Sequence, residues 1–205
     1  MLLFDIGSNI GSWALNNYKD NNKIICVEAS KNTFNTLVSN TSGKNINCLN
    51  YAVTSSLDET VDFFECSWHV LSTLDEDWLK DPKSRFGNKM PYVKTKVPTI
   101  TIDKLISDYG IPDILKVDVE GAEDIVLKSL TKQIKTICFE WASEWNNKTF
   151  NAINHLESLG YSRFHIQDGD MYTYRPNEYE LNKDQLINNL KLKVDKNDWG
   201  MIWCI

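Results

Sequence analysis

Three short apolar runs, LLFDI, KIICV and INCLNYAV, open the chain within its first 53 residues, and segments with helical spacing separate them. A half-exposed strand alternates polar and apolar residues. These runs do not, so they read as strands covered on both faces, the arrangement of a parallel sheet between helices. Between them, IGSWALNNY puts Ile10, Trp13, Ala14 and Tyr18 on one helical face. SKNTFNTLVSN does the same with Phe34, Leu37 and Val38, with Ser30 as its N-cap. A β-α-β-α-β start predicts a doubly wound α/β fold, whose ligands sit outside the carboxyl ends of the strands where strand order reverses.

Residues 55–98 break the rhythm. TVDFFEC and VKTKVPTI read as extended, but the polar stretch from Ser67 to Tyr92 carries two prolines and a glycine and matches no periodic template. A long irregular stretch inside a domain is usually either mobile or functional. Order returns with TIDKLISDYG, a helix capped by Thr101 and stopped by Gly110, and PDILKVDVEG, a strand ending between Asp118 and Gly121. Then AEDIVLKSL reads as helix, IKTICFE as strand and FNAINHLESLG as a helix ended by Gly160. YSRFHIQDGDMYTYR reads as two strands around an Asp168-Gly169 turn, DQLINNL as helix and GMIWCI as a closing strand. The 205 residues, 42% hydrophobic and without repeat or linker, make one domain. Its parts are a cofactor-binding half in 1–53, a variable insert or lid in 55–98, and catalytic strand ends with the rest of the sheet in 99–205.

Composition narrows the partners. No apolar run approaches the roughly 20 residues needed to span a bilayer, and MLLFDIGS lacks the basic and long apolar regions of a signal peptide, so a cytoplasmic protein with no membrane partner is expected. Five scattered cysteines, four of them in strand-like runs, read as reduced core residues. A net charge of −6 argues against nucleic acid as partner.

The first strand runs into FDIGSNIGSW. Gly7 and Gly11 allow a ligand close to backbone, and the helix starting near Ile10 is expected to offer free amides. Glu28 ends the second strand 28 − 7 = 21 residues past Gly7, close to the spacing at which an acid accepts both hydroxyls of a ribose. Either feature alone also reads as a tight turn or a solvated strand end; together they indicate an adenosine-type cofactor. The pattern Asp5-x-Gly7-x-Asn9-x-Gly11 lacks the third glycine of a pyrophosphate loop. Asp5 suits an ammonium and Asn9 a carboxylate or water, which points to S-adenosylmethionine.

FDIGSNIGSW, CVEAS, NYAVTSS, TITIDKLISDYGIPDILKVDVEGAEDIVLKSL and ICFEW, in this order, resemble the FkbM-type family of S-adenosylmethionine-dependent O-methyltransferases, over about residues 3–141. The resemblance implies a Rossmann-like class I fold, with a mostly parallel seven-stranded sheet, an antiparallel last strand and helices on both faces. It implies methyl transfer to a hydroxyl, often on a sugar or polyketide. Asp5, Gly7, Ser8, Asn9 and Gly11 would then line the methionine part, Glu28 the ribose and Ala52 the adenine. Family members often carry helices ahead of this first strand, so here the lid is expected from residues 55–98 or from a partner domain.

Lys116, Asp118 and Glu120 alternate along one strand, and Glu140 ends its neighbour. Methyl transfer needs the hydroxyl oriented and its proton removed, which a desolvated carboxylate can do. Asp118 and Glu120 are candidates for base or substrate anchor, Asp118 also borders the cofactor, and Lys116 would pair with Asp118 or polarise the alcohol. The competing reading is an ion pair plus helix N-terminal acids; for Glu123 and Asp124 that solvated reading is preferred. Asp118, Glu120 and Glu140 would also suit Mg²⁺, which the motif does not demand. His69 is a candidate base, whereas His155 and His165 read as structural. Trp68, Trp141 and Trp145 are candidates to stack on a sugar, with Trp13, Trp199 and Trp203 assigned to the core. Two other classes stay open, a catalytically silent binding or scaffold domain and an NAD-dependent oxidoreductase.

Overall fold

The computed structural model describes residues Met1–Ile205. Its first elements are β1 (Leu2–Ile6), α1 (Ser12–Asn17), β2 (Lys23–Val27), α2 (Lys31–Thr41), β3 (Ile46–Leu49) and β4 (Ala52–Val53). The apolar runs behave as doubly covered strands should. Phe4, Ile6, Ile25 and Val27 enter the main core, while Leu3, Ile24 and Cys26 pack on Trp13 and Leu37 from α1 and α2 on the other face.

The chain continues through β5 (Thr60–Cys66), α3 (Glu76–Lys80), β6 (Tyr92–Ile100), α4 (Ile102–Tyr109), β7 (Ile114–Val117) and α5 (Glu123–Leu127). It ends with β8 (Thr136–Ala142), α6 (Asn146–Ser158), β9 (Phe164–Asp168), α7 (Lys183–Leu192) and β10 (Trp199–Cys204). Seven strands form one sheet in the order β3-β2-β1-β7-β8-β10-β9. Only β10 runs antiparallel to its neighbours, β8 and β9. Residues of α4, α5, α6 and α7 bury against the second face, so both faces carry helices as expected. The order reverses between β1 and β7, and there the ligand crevice belongs.

Four readings from sequence are corrected. INCLNYAV is two strands, because the Asn50 side chain donates to the carbonyls of Glu28 and Ala29, at 2.9 Å each, and turns the chain out of the main sheet. β4 then joins β6 and β5 in a separate three-stranded sheet. On α2 the buried face is Thr33, Leu37 and Thr41, with Phe34 partly buried and Val38 exposed. The segment after Gly169 forms no hairpin strand; β9 pairs instead with β10, Ile166 opposite Ile202. Within Ser67–Tyr92 lie a 3-10 turn, His69–Leu71, and α3, which Asp75 caps by accepting from Trp78 N at 3.2 Å. Thr101 and Ser30 cap their helices as read. All five cysteines are free, and no helix is long and apolar enough to cross a membrane.

Candidate active site

A cavity of about 570 Å³ opens at the carboxyl ends of β1, β2, β7 and β8, and residues 63–86 of the insert form its far wall. Its floor begins with the Gly7–Gly11 loop. Gly7 has φ +74°, and a Cβ there would lie 1.7 Å from the Asp118 carbonyl oxygen. The chain leaving β7, rather than a ligand, therefore demands glycine at this position. Gly11, at φ +92°, faces Leu37 of α2 and lies off the cavity wall.

The free amides expected of the helix lie past the loop: α1 starts at Ser12, no side chain caps it, and Ser12 and Trp13 stand on the cavity wall, whereas the amides of the loop itself are taken. Gly7 N and Ser8 N donate to Val27 O at 2.9 and 3.1 Å, Ile10 N to Asn9 Oδ1 at 2.8 Å, and Gly11 N to Ser8 O at 2.8 Å. Asn9 N donates to Glu28 Oε2 at 2.9 Å. The end of β2 sits one strand away and takes the amides of Gly7, Ser8 and Asn9, while those of Ile10 and Gly11 bond within the loop.

Glu28 is buried on the cavity wall, and its other oxygen accepts from Ser30 N at 2.8 Å. Burial pushes its carboxyl up to about 7 against these two backbone bonds. Asp5 lies wholly buried beneath the loop, off the wall. Lys116 Nζ stands 3.4 Å from Asp5 Oδ1, 3.1 Å from Asp118 Oδ2 and 3.4 Å from the Gly7 carbonyl. Burial works against the ammonium, but Asp118, Asp5 and Asp170 together hold it well above the usual lysine range. Lys116 is thus a fixed charge tying β1 to β7.

After β7 the chain turns through Asp118–Gly121, with Glu120 in the left-handed region at φ +56°. Such a conformation costs a non-glycine residue about 1 kcal/mol or more and persists only where neighbours hold it. Four bonds do so here. The Glu123 carboxylate accepts from Val119 N at 2.9 Å and Gly121 N at 3.1 Å. Thr73 Oγ1 donates to Glu120 O and Lys148 Nζ to Gly121 O, each at 2.6 Å. Glu123 is 2% exposed, so its solvated reading is corrected: it braces the turn from α5.

The turn gathers the carboxylates read from sequence. One oxygen each from Asp118, Glu120 and Glu140 lies within 4.8 Å of the others. Burial and then Asp118 and Glu123 push Glu120 well above the carboxylate range; burial, Glu120 and Asp118 do so for Glu140.

His69 and Ala52 line the cavity. His155 instead bonds the Leu130 carbonyl at 3.0 Å and His165 the Tyr174 hydroxyl at 2.6 Å, the structural roles expected. Trp141 is fully buried and Trp145 packs edge-on against Trp78, so neither offers a free face for a sugar, which corrects that expectation. Trp199, read as core, is 38% exposed on the cavity wall, and Trp68 is 59% exposed there. Sequence reading also missed Arg85, Asp170 and Tyr172 on the wall. Arg85 pairs with Glu144 and lies over the rings of Trp78, Phe86 and Trp145. Burial pushes Asp170 up to about 6. No local motif marks these residues, since packing of the insert and of the segment after β9 brings them in.

Five wall carboxylates, Glu28, Asp118, Glu120, Glu140 and Asp170, face two cations, Lys116 and Arg85, each already paired with an acid. Such a wall offers oxygen acceptors to positive charge and to hydroxyl donors. An ammonium, a sulfonium and a ribose diol fit this acceptor set.

Residues 5–163 match the family model described as the methyltransferase FkbM domain. No curated protein matches in sequence. Among solved structures, precorrin-6y C5,15-methyltransferase from Geobacter metallireducens GS-15 aligns with a TM-score of 0.50 at 11% identity, over 100% of this chain and 79% of that one. Precorrin 8w decarboxylase from Methanobacterium thermoautotrophicum aligns at 0.47 and 12% identity, over 98% and 80%. Aeropyrum pernix fibrillarin with natively bound S-adenosyl-L-methionine gives 0.46 and 12%, over 100% and 65%. At such identities the likeness is one of fold.

Proposed function

The chain belongs to the FkbM-domain methyltransferases, with S-adenosylmethionine as cofactor, and on that premise we propose that it methylates a hydroxyl of a small molecule or glycan, with a sugar as leading acceptor. The observation that carries this reading is the acceptor-rich wall, with Glu28, Asp118, Glu120, Glu140 and Asp170 around one cavity at the strand ends, beside the uncapped start of α1. Gly7, Ser8 and Asn9 would receive the methionine end near Asp118, Glu28 the ribose hydroxyls, and Ala52 the adenine. Asp5 and Gly11 would act from behind, Asp5 through Lys116 and Gly11 by letting α1 close on Leu37.

The cofactor supplies an electrophilic methyl group on a positively charged sulfur. The acceptor oxygen bonds to that carbon as the carbon–sulfur bond breaks, its electron pair going to sulfur. The hydroxyl proton passes to an ionised carboxylate of the cluster, which burial and the neighbouring acids make more basic than an ordinary one. Lys116 holds Asp118 in place at 3.1 Å. Trp68, Trp199 and Tyr172 at the wall offer flat faces for a sugar ring, which supports the acceptor class. The free cysteines support residence in the reducing cytoplasm.

Calorimetry with S-adenosylhomocysteine and NAD, followed by mass spectrometry of glycosides and nucleotide sugars incubated with S-adenosylmethionine, tests the proposal. Binding of the homocysteine compound alone, with a 14-dalton gain on an acceptor hydroxyl, is expected. Binding of NAD alone would favour the oxidoreductase, and methylation at nitrogen or carbon alone would overturn the O-transfer assignment.

A further inference from the structure

The carboxylate cluster carries an inference beyond proton transfer. Asp118, Glu120 and Glu140 each bring one oxygen to within 4.8 Å of the other two. Hard divalent cations hold oxygens at about 2.1 Å for Mg²⁺ and about 2.3–2.6 Å for Ca²⁺, so oxygens sharing one ion stand about 3–5 Å apart. The cluster has that spacing.

A second observation is independent of the clustering. Glu140 is 5% exposed, and its buried Oε2 has no hydrogen-bond partner. Buried carboxylate oxygens are rarely left without a donor or a cation, because the desolvation cost is then uncompensated. No protein cation meets the need. Lys116 is paired with Asp5 and Asp118, and Arg85 reaches only Glu144 within ion-pair distance. Three carboxylates with one neighbouring paired lysine suit a divalent ion better than a single ammonium.

We infer that Asp118, Glu120 and Glu140 form a binding site for a divalent cation of the Mg²⁺, Mn²⁺ or Ca²⁺ class at the acceptor end of the cavity. Each residue contributes one oxygen, so other coordination positions face the cavity, where two neighbouring oxygens of an acceptor such as a vicinal diol can enter. An acceptor hydroxyl bound there ionises more readily. Its proton moves to the second oxygen of a cluster carboxylate as the oxygen–methyl bond forms and the carbon–sulfur bond breaks. The site itself stands on the carboxylate geometry; its part in the reaction rests on the methyltransferase reading.

Mn²⁺ is the probe, titrated into the full chain with and without S-adenosylhomocysteine and read by electron paramagnetic resonance of the free ion. One ion per chain is expected, with Glu140→Gln and Glu120→Gln each weakening binding at least tenfold and the exposed Glu59→Gln leaving it unchanged. Glu140→Asp, which keeps the charge and withdraws the oxygens by one methylene, serves if the amide variant does not fold, with the same weakening expected. No binding at millimolar Mn²⁺, or equal binding by wild type and the cluster variants, overturns the site. S-adenosylhomocysteine binding without Mn²⁺ binding would defeat this inference alone; Mn²⁺ binding without methyl transfer to any acceptor would defeat the functional reading alone.

Discussion

Glu28 couples ligand and proton at a single residue. Burial pushes its carboxyl up to about 7, and in the proposed role ribose hydroxyls would donate to the ionised form, so cofactor binding would expel a proton below that pH. Affinity for S-adenosylhomocysteine should therefore rise between pH 6 and 8. Glu28→Gln should flatten that rise and cost on the order of 1–3 kcal/mol of binding, both read by calorimetry across pH. Lys116 gives the second prediction at this scale. Lys116→Met leaves Asp5 buried without its counter-charge, and breaking a buried pair from one side costs about 3–5 kcal/mol, measurable by urea unfolding. Glu28 and Asp118 were legible from sequence, since strand ends and spacing mark them. Glu123 was not, because a carboxylate at a helix start looks the same whether it faces water or turns back onto the preceding loop.

Among the elements, the turn between β7 and α5 is the one on which the candidate chemistry depends. It is held from outside, by Glu123 on α5, Thr73 in the insert and Lys148 on α6. Glu123→Ala frees two buried amides and should destabilise the fold by about 1–3 kcal/mol. It should cut turnover strongly while leaving S-adenosylhomocysteine binding largely intact, a separation that calorimetry and a methyl-transfer assay read together. The insert is the second such element. Arg85 ties it to Glu144 and to the Trp78, Phe86 and Trp145 rings, so Arg85→Ala should raise hydrogen exchange across residues 67–91 and leave β1 and β7 protected. These ties join residues far apart in the chain, and no periodic signal announces them.

The molecule as a whole concentrates buried acid around one cavity. Glu28 and Glu123 both rise from an ordinary 4.5 to about 7, chiefly through burial. Between those values the folded chain keeps protons that the unfolded chain has released. Stability is therefore fullest near pH 4.5 and falls as pH rises through about 7. The melting temperature should decline from pH 5 to pH 8 in scanning calorimetry, and saturating S-adenosylhomocysteine should shrink that decline by favouring ionised Glu28.

Sequence alone determined the layered α/β architecture, the closing strand, the Ser30 and Thr101 caps and the strand-end acids. Each follows from local rules: unrelieved apolar runs, capping side chains, and the geometry that puts a parallel strand's last residue at the crevice. Tertiary structure decided the rest. It placed Asp5 behind the wall, tied the Gly7, Ser8 and Asn9 amides to the end of β2, turned Trp141 inward and Trp199 outward, and brought Asp170 and Arg85 to the cavity. The physical reason is common to these cases. Which way a side chain faces, and whether a donor is already taken, depends on a neighbour distant in sequence, and a local pattern carries no information about that neighbour.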